Sequence, residues 1–291
     1  MSSNRGRWWR KEPEEPEVIL EFASSFHGAE PTTEEESLEY EASLAELRAA
    51  TESRTAVFEA YVDTKLPPDP SVSAAARGNT SCPSCGAVFE VPLKSSRKCP
   101  ACAVRVIVKS HDGNKFVVTA DEAELIAARK KIMASLRKAH SRVDWFGVTP
   151  EALIETLEGL GAGFGPRDAS WRLLNLQLVE FAQAGSLSDA AFVCASMARQ
   201  LADEGKDYSE ILTRSFELQA KGEAQRTLSS DSNGLRITAC SCEACIADDD
   251  RIVPWADLQE TANGLSGPLP HLECEHAICP CSYQAHYASS L

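Results

Sequence analysis

Cys82-Pro83-Ser84-Cys85, separated by thirteen residues from Cys99-Pro100-Ala101-Cys102, is the stretch from which the architecture of this chain is read. Each C-x2-C turn presents two sulfurs on one side of the backbone. Two such turns facing each other bring four soft ligands to one tetrahedral point, the arrangement of a structural zinc site. Gly86 suits the tight turn after the first pair, with Val88, Phe89 and Val91 as a short strand. Val104 to Val108 and Phe116 to Val118 are expected as two more strands around the turn His111-Asp112-Gly113-Asn114. Such a module has too little apolar area to fold alone, so bound metal must supply much of its folding energy. Four cysteines leave no open coordination position, and Cys82, Cys85, Cys99 and Cys102 are therefore expected to hold one structural zinc ion.

With Val91-Pro92 after the first knuckle, the run from Ser81 to Cys102 resembles the zinc ribbons at the starts of many bacterial proteins. The ribbon is expected over residues 81–119. Arg77 to Val118 carries seven basic and two acidic residues, so Lys94, Arg97, Lys98, Arg105 and Lys109 are candidate nucleic-acid contacts, with Phe89 and Phe116 available either for stacking or for the module's interior. An ordinary solvated face is the plainer account of the same charges.

The second cysteine group is denser: Cys240-Ser-Cys242-Glu-Ala-Cys245, then Pro270-His271-Leu-Glu-Cys274, then Cys279-Pro-Cys281. Cys242, Cys245, His271 and Cys274 form the most economical Cys3His site, and exchanging His271 for Cys279 or Cys281 is equally tetrahedral. Six cysteines leave sulfur over unless two ions bind or one pair is redox active. His271-Leu-Glu273 matches half of a zinc-deaminase motif, but Cys279-Pro-Cys281 lacks the closing P-C-x2-C half. With Asp248-Asp249-Asp250 as an acidic turn before Pro270-His271-x2-Cys274, the last fifty residues resemble the C-terminal segment of phage minor head proteins. The stretch from Trp145 to Tyr287 also resembles an uncharacterised bacterial helical-plus-cysteine domain, a likeness that implies a shape and no activity. Zinc, at least two ions per chain, is the expected cofactor.

The remaining chain reads as helix. Residues 1–32 are expected as a disordered tail and 33–63 as an acidic helix opened by a Thr33/Glu36 capping box, with Leu38, Ala42, Ala45, Ala49, Val57 and Tyr61 at helical spacing. Pro67-Pro68-Asp69-Pro70 and a Ser/Ala/Gly run give a linker over 64–80. Residues 120–143 are a connecting helix capped by Thr119 or Asp121. Residues 144–229 form an antiparallel helical domain in which Thr149-Pro150-Glu151 starts one helix and Gly185 and Gly205 mark turns. Trp171, Leu174, Leu178 and Phe181 form one stripe, and Phe192, Ala195, Met197 and Leu201 the next. The Trp-x2-Leu start and the Gly-x3-Asp-Ala turn resemble tetratricopeptide hairpins, although Asn175 stands where that pattern has a small residue and no second copy follows at its period. Cys194 is expected to be an inert core thiol. Residues 230–291 complete the chain as a Cys/His metal-binding module, giving a mainly α, multidomain protein.

The net charge of −14 opposes indiscriminate binding of nucleic acid across the surface. From Lys11 to Asp63 fifteen acidic side chains face three basic ones, opposite in sign to the ribbon, so this arm is either a solubilising tail or a cover for a basic surface. No run is apolar enough to span a membrane, and Met1 to Arg10 lacks a signal-peptide pattern. The expectation is a cytoplasmic protein with reduced thiols; the alternative is a secreted chain with five disulfides. No H-E-x2-H helix, nucleophile elbow or phosphate-binding glycine loop occurs. The expected function is that of a zinc-binding interaction or scaffold protein with a protein partner. Nucleic-acid association through residues 81–118 is the alternative, and a zinc enzyme at the C-terminal cluster a third.

Overall fold

The computed structural model describes residues 34–111, 114–227, 232–271, 273–276 and 278–287, which form a mainly α chain with small β sheets. Its contacts divide it into two units, Met1–Ala56 and Val57–Leu291. The expected tail and the Thr33 cap lie outside the described residues. In the first unit the described chain is the opening part of helix α1, Glu34–Lys65, with Leu38 and Leu47 exposed.

In the second unit, the last turns of α1 bury Phe58 and Val62 against Leu136, Ala139 and Leu153. The buried positions are thus one residue past the expected stripe of Val57 and Tyr61, which stay half-buried. The expected linker is corrected in part. Residues 70–77 are helix α2, Pro70–Arg77, whose N-terminal turn Asp69 caps by accepting from the Ser71 N–H and whose first position is proline. Pro67 and Pro68 break the chain as expected, but the alanines after them favour helix over coil. Ala74 is buried with Phe116, Val118 and Ile126, so this segment docks and does not hang free.

Arg129 holds the elbow between α1 and α2. Its side chain is nearly buried; it donates to the Pro67 carbonyl at 2.8 Å, pairs with Asp63 and lies 3.9 Å from Asp69. A buried guanidinium is tolerable only with such partners.

The ribbon follows as an antiparallel sheet of β1 (Arg97–Lys98), β2 (Arg105–His111) and β3 (Asn114–Val118). Val88 makes an isolated bridge to Ser81 and the Phe89 N–H donates to the Thr80 carbonyl, so Val88 to Val91 forms no full strand. Val88 and Val91 are exposed while Phe89 and Leu93 are buried beside Cys82 and Cys99.

Helix α3, Ala120–His140, opens with a full capping box between Thr119 and Glu122. Helices α4 (Pro150–Leu160), α5 (Pro166–Ala184), α6 (Leu187–Asp203) and α7 (Ser209–Thr227) follow and pack in succession. Thr149 caps α4, and Gly185, at φ 73°, closes α5 in the left-handed conformation that glycine adopts without strain. Buried Gln200 ties α5 to α6, accepting from the Ser170 hydroxyl at 3.2 Å and donating to the Arg167 carbonyl at 3.1 Å. Phe192 is half-exposed, in contrast to its expected core place; its ring packs edge-on to Trp145 and tilted against Phe146. The inward positions of α6 include Val193, Cys194 and Met197.

The C-terminal segment is a sheet in the order β5 (Ile252–Pro254), β4 (Ser232–Thr238), β8 (Ser282–Tyr287), with a hairpin of β6 (Gln259–Glu260) and β7 (Leu265–Ser266). Its core is shared with α7: Leu212, Phe216 and Ala220 pack with Leu235, Ile237, Leu269 and Tyr283. At Gly264 a Cβ would lie 2.1 Å from the Glu217 carbonyl oxygen, so the hairpin touches the backbone of α7 only because that residue is glycine.

Candidate metal centres

Backbone geometry builds the ribbon site. The Gly86 N–H donates to the Cys82 carbonyl and the Ala103 N–H to the Cys99 carbonyl, both at 2.9 Å, closing two equivalent turns. Gly86 and Ala103 are both left-handed, at φ 74° and 60°. These turns bring Cys82, Cys85, Cys99 and Cys102 together, with all four sulfurs within 4.8 Å of one another. Cys82 Sγ lies 3.8 Å from Cys102 Sγ, and Cys85 Sγ lies 3.8 Å from Cys99 Sγ. A tetrahedral ion with metal–sulfur bonds of about 2.3 Å needs sulfur–sulfur edges of about 3.8 Å, so the donor set fits.

Crowding of the four thiols drives their acidities apart. Backbone N–H groups, that of Cys102 foremost, draw the Cys99 thiol down to about 7. The Ala87 N–H favours the Cys85 thiolate, but hydrogen bonding with Cys102 and desolvation outweigh it and push that thiol up to about 12. Neighbouring sulfurs cannot all ionise without a cation between them.

The C-terminal centre rests on the short helix α8, Glu243–Ile246, which Cys242 precedes, and on the chain returning past Cys274 to β8. Cys240, Cys242, Cys245 and Cys274 form one set of mutually close sulfurs, and Cys245, Cys279 and Cys281 a second. Hydrogen bonding with Cys245 draws the Cys242 thiol down to about 6. Burial drives Cys245 strongly upward and lifts Cys274 to about 11 and Cys281 to about 12. The two cysteine regions, 82–102 and 240–281, can thus each coordinate a metal ion.

His271 stands outside both sulfur sets. Its Nε2 is turned to Asp248 Oδ2 at 3.2 Å, at an angle that makes no hydrogen bond, so this buried nitrogen has no hydrogen-bond partner. Cys240 takes the place beside Cys242, Cys245 and Cys274 that economy of spacing had assigned to the histidine. The C-x-C pair Cys240/Cys242 was visible in the sequence, but only the fold brings Cys274 to it and, through the adjacency of β4 and β8, sets Cys240 beside Cys281. His276 Nδ1 lies 3.4 Å from Cys274 Sγ. The acidic turn is real: Asp250 is left-handed at φ 59°, and Asp249 accepts from the Ala239 N–H at 3.0 Å. A cleft of about 300 Å³ borders Cys279 and Cys281, lined by Phe192, Leu212, Phe216 and Glu223 among others.

Lys94, Arg97, Lys98 and Arg105 are exposed and Lys109 is half-buried. Lys98 pairs directly with Arg105 across β1 and β2. Phe89 and Phe116 are buried, so neither offers a stacking face. Cys194 is buried with Ala190, Ala191 and Leu218, and desolvation raises its thiol to about 11, in keeping with an unreactive core residue. No helix among the described residues is long and apolar enough to cross a membrane.

Comparison of the chain with models of protein families, with curated proteins and with solved structures finds no match. What the residues and the fold define is a mainly helical, multidomain protein with two cysteine-rich regions able to bind metal, consistent with a structural or interaction role.

Proposed function

We propose that this is a zinc-binding interaction or scaffold protein of the cytoplasm, in which thiolate-bound zinc fixes the shape of two surfaces. The observation that carries the reading is where the second sulfur centre sits. Cys242, Cys245, Cys279 and Cys281 are buried in the same core as Leu212, Phe216 and Ala220 of α7. An ion there would weld the C-terminal sheet to the helical block. All-cysteine donor sets also leave a four-coordinate ion no open position, which supports a role in structure over one in catalysis. In the ribbon, a protein partner is supported by the exposure of Val88, Val91 and Val104, apolar groups that a protein surface would cover. Elemental analysis of reduced, purified protein tests the reading. At least two zinc ions per chain are expected, and one or none overturns it.

Nucleic-acid association remains the second reading, favoured by the exposed cations Arg97, Lys98 and Arg105 on adjacent strands. Titration with DNA and RNA at two salt concentrations separates the two. Tight, steeply salt-dependent binding that disappears in a Lys94→Gln, Arg97→Gln, Lys98→Gln variant would establish the second reading; salt-insensitive or absent binding supports the first.

A further inference from the structure

We infer that the six C-terminal cysteines hold not one metal ion but two, as a single binuclear thiolate cluster in which Cys240 and Cys245 bridge. The inference rests on the metal-binding reading above and extends it from a count of modules to a ligand assignment. Two tetrahedral ions need four donors each, and six sulfurs meet that demand only if two of them are shared.

The geometry identifies which two. Cys245 belongs to both close sets, with Cys240, Cys242 and Cys274 on one side and with Cys279 and Cys281 on the other. The second set lacks one donor. Cys240 is placed to complete it: its Sγ lies 3.9 Å from Cys281 Sγ while also lying 3.2 Å from Cys242 Sγ and 3.9 Å from Cys274 Sγ. Two further edges lie near the tetrahedral value, Cys242–Cys274 at 3.5 Å and Cys245–Cys279 at 3.9 Å. One ion would therefore take Cys240, Cys242, Cys245 and Cys274. The other would take Cys240, Cys245, Cys279 and Cys281. Cys242 and Cys274 are terminal ligands of the first ion, Cys279 and Cys281 of the second.

A backbone contact favours the same assignment. The Cys240 N–H donates to Cys281 Sγ at 3.3 Å, a backbone contact that steadies one terminal sulfur as outer-shell hydrogen bonds do in metal sites. The ribbon has no counterpart to this sharing, since its four sulfurs form one closed set.

The test is metal content and cadmium-113 NMR on the reduced full-length chain. Three zinc ions per chain are expected, and two in a Cys99→Ser, Cys102→Ser variant that empties the ribbon. After exchange with cadmium-113, three resonances are expected, two of them split by cadmium–cadmium coupling through the shared sulfurs. Cys240→Ser should displace both coupled resonances, whereas Cys279→Ser should displace chiefly one. Three ions without coupling would mean two separate sites and overturn the bridging assignment. Two ions in the wild type, one of them surviving loss of the ribbon site, would overturn the binuclear cluster while leaving both metal-binding modules intact. A ribbon ion alone would refute the inference and the metal-binding reading of the C-terminal region together. The coupling is measured on the wild type, so misfolding of either variant does not remove the test.

Discussion

The ribbon and the C-terminal centre use the same ligand chemistry in opposite surroundings. The ribbon's four sulfurs come from two short turns, and its apolar neighbours are few: Phe89, Leu93, Val106 and Val117. The C-terminal sulfurs are drawn from three segments and lie in a core that includes a long helix and a sheet. Metal in the first would hold a local loop together. Metal in the second would join parts of the chain that are far apart in sequence, so its loss should spread further.

The largest expected effect tests that contrast directly. Cys245→Ser should loosen the sheet β5-β4-β8 and the packing of α7 upon it, costing more than about 4 kcal/mol, the range reached when a metal site is lost. Cys99→Ser should melt the ribbon and the docked helix α2 while amide protection in α4 to α7 is kept. Hydrogen exchange on the two variants checks this. Equal and local loss of protection in both would show that the second centre is no more integrated than the first.

Next in size is Gly264→Ala. The added Cβ meets the Glu217 carbonyl oxygen, and hairpin β6–β7 must lift from α7 at a cost of about 1–3 kcal/mol, measured as a lower urea midpoint. The corresponding joint on the ribbon side is Arg129. Arg129→Met keeps the apolar stem but removes the bonds to Pro67 and Asp63, and should cost about 1.5–3 kcal/mol. A double variant that adds Asp63→Asn should lose little more if the pair is the main contribution.

The smallest effect is one of pH, confined to the helical block. Burial raises the Asp203 carboxyl, but Arg142 and Lys138 outweigh it and hold its folded value below the ordinary one. The Gly165 N–H and Arg167 do the same for Asp168. A carboxylate lowered on folding stabilises the native state above its unfolded value of about 3.9 and loses that contribution as pH falls through the folded value. The stability difference between wild type and Asp203→Asn should therefore be flat above about pH 5 and shrink below about pH 4. A difference that persists unchanged at pH 2.5 would show that the carboxylate's charge is not what matters.

Much of the helical block was legible because each start and stop has a local cause. Thr149-Pro150, Thr119, and the glycines at 185 and 205 act within a turn of where they stand, and α6, Leu187–Asp203, lies between the turns those two glycines mark. The ribbon's sulfur geometry was legible for the same reason, since C-x2-C is itself a turn. Misreadings arose where a partner distant in sequence decides. Residues 70–77 lie in the expected linker, yet their alanines form a helix that Ala74 holds in place against Phe116 and Val118. Phe192 and Val193 are adjacent apolar residues, and only the packing of α6 on α5 and on residues 143–148, where Val193 joins Val148 and Leu174, makes Val193 the inward one.

Sequence by itself thus determined the mainly helical character, the four-sulfur ribbon and the identity of the cysteines available to metal. Those follow from interactions within a few residues, which composition and spacing record. The tertiary structure alone decided that Cys240 joins Cys242, Cys245 and Cys274, that His271 turns to Asp248, and that the second sulfur centre shares a core with α7. These depend on segments far apart in sequence: β4 pairs with β8, Cys274 lies 34 residues from Cys240, and the hairpin meets the backbone of α7 at Gly264, long-range geometry that no local spacing contains.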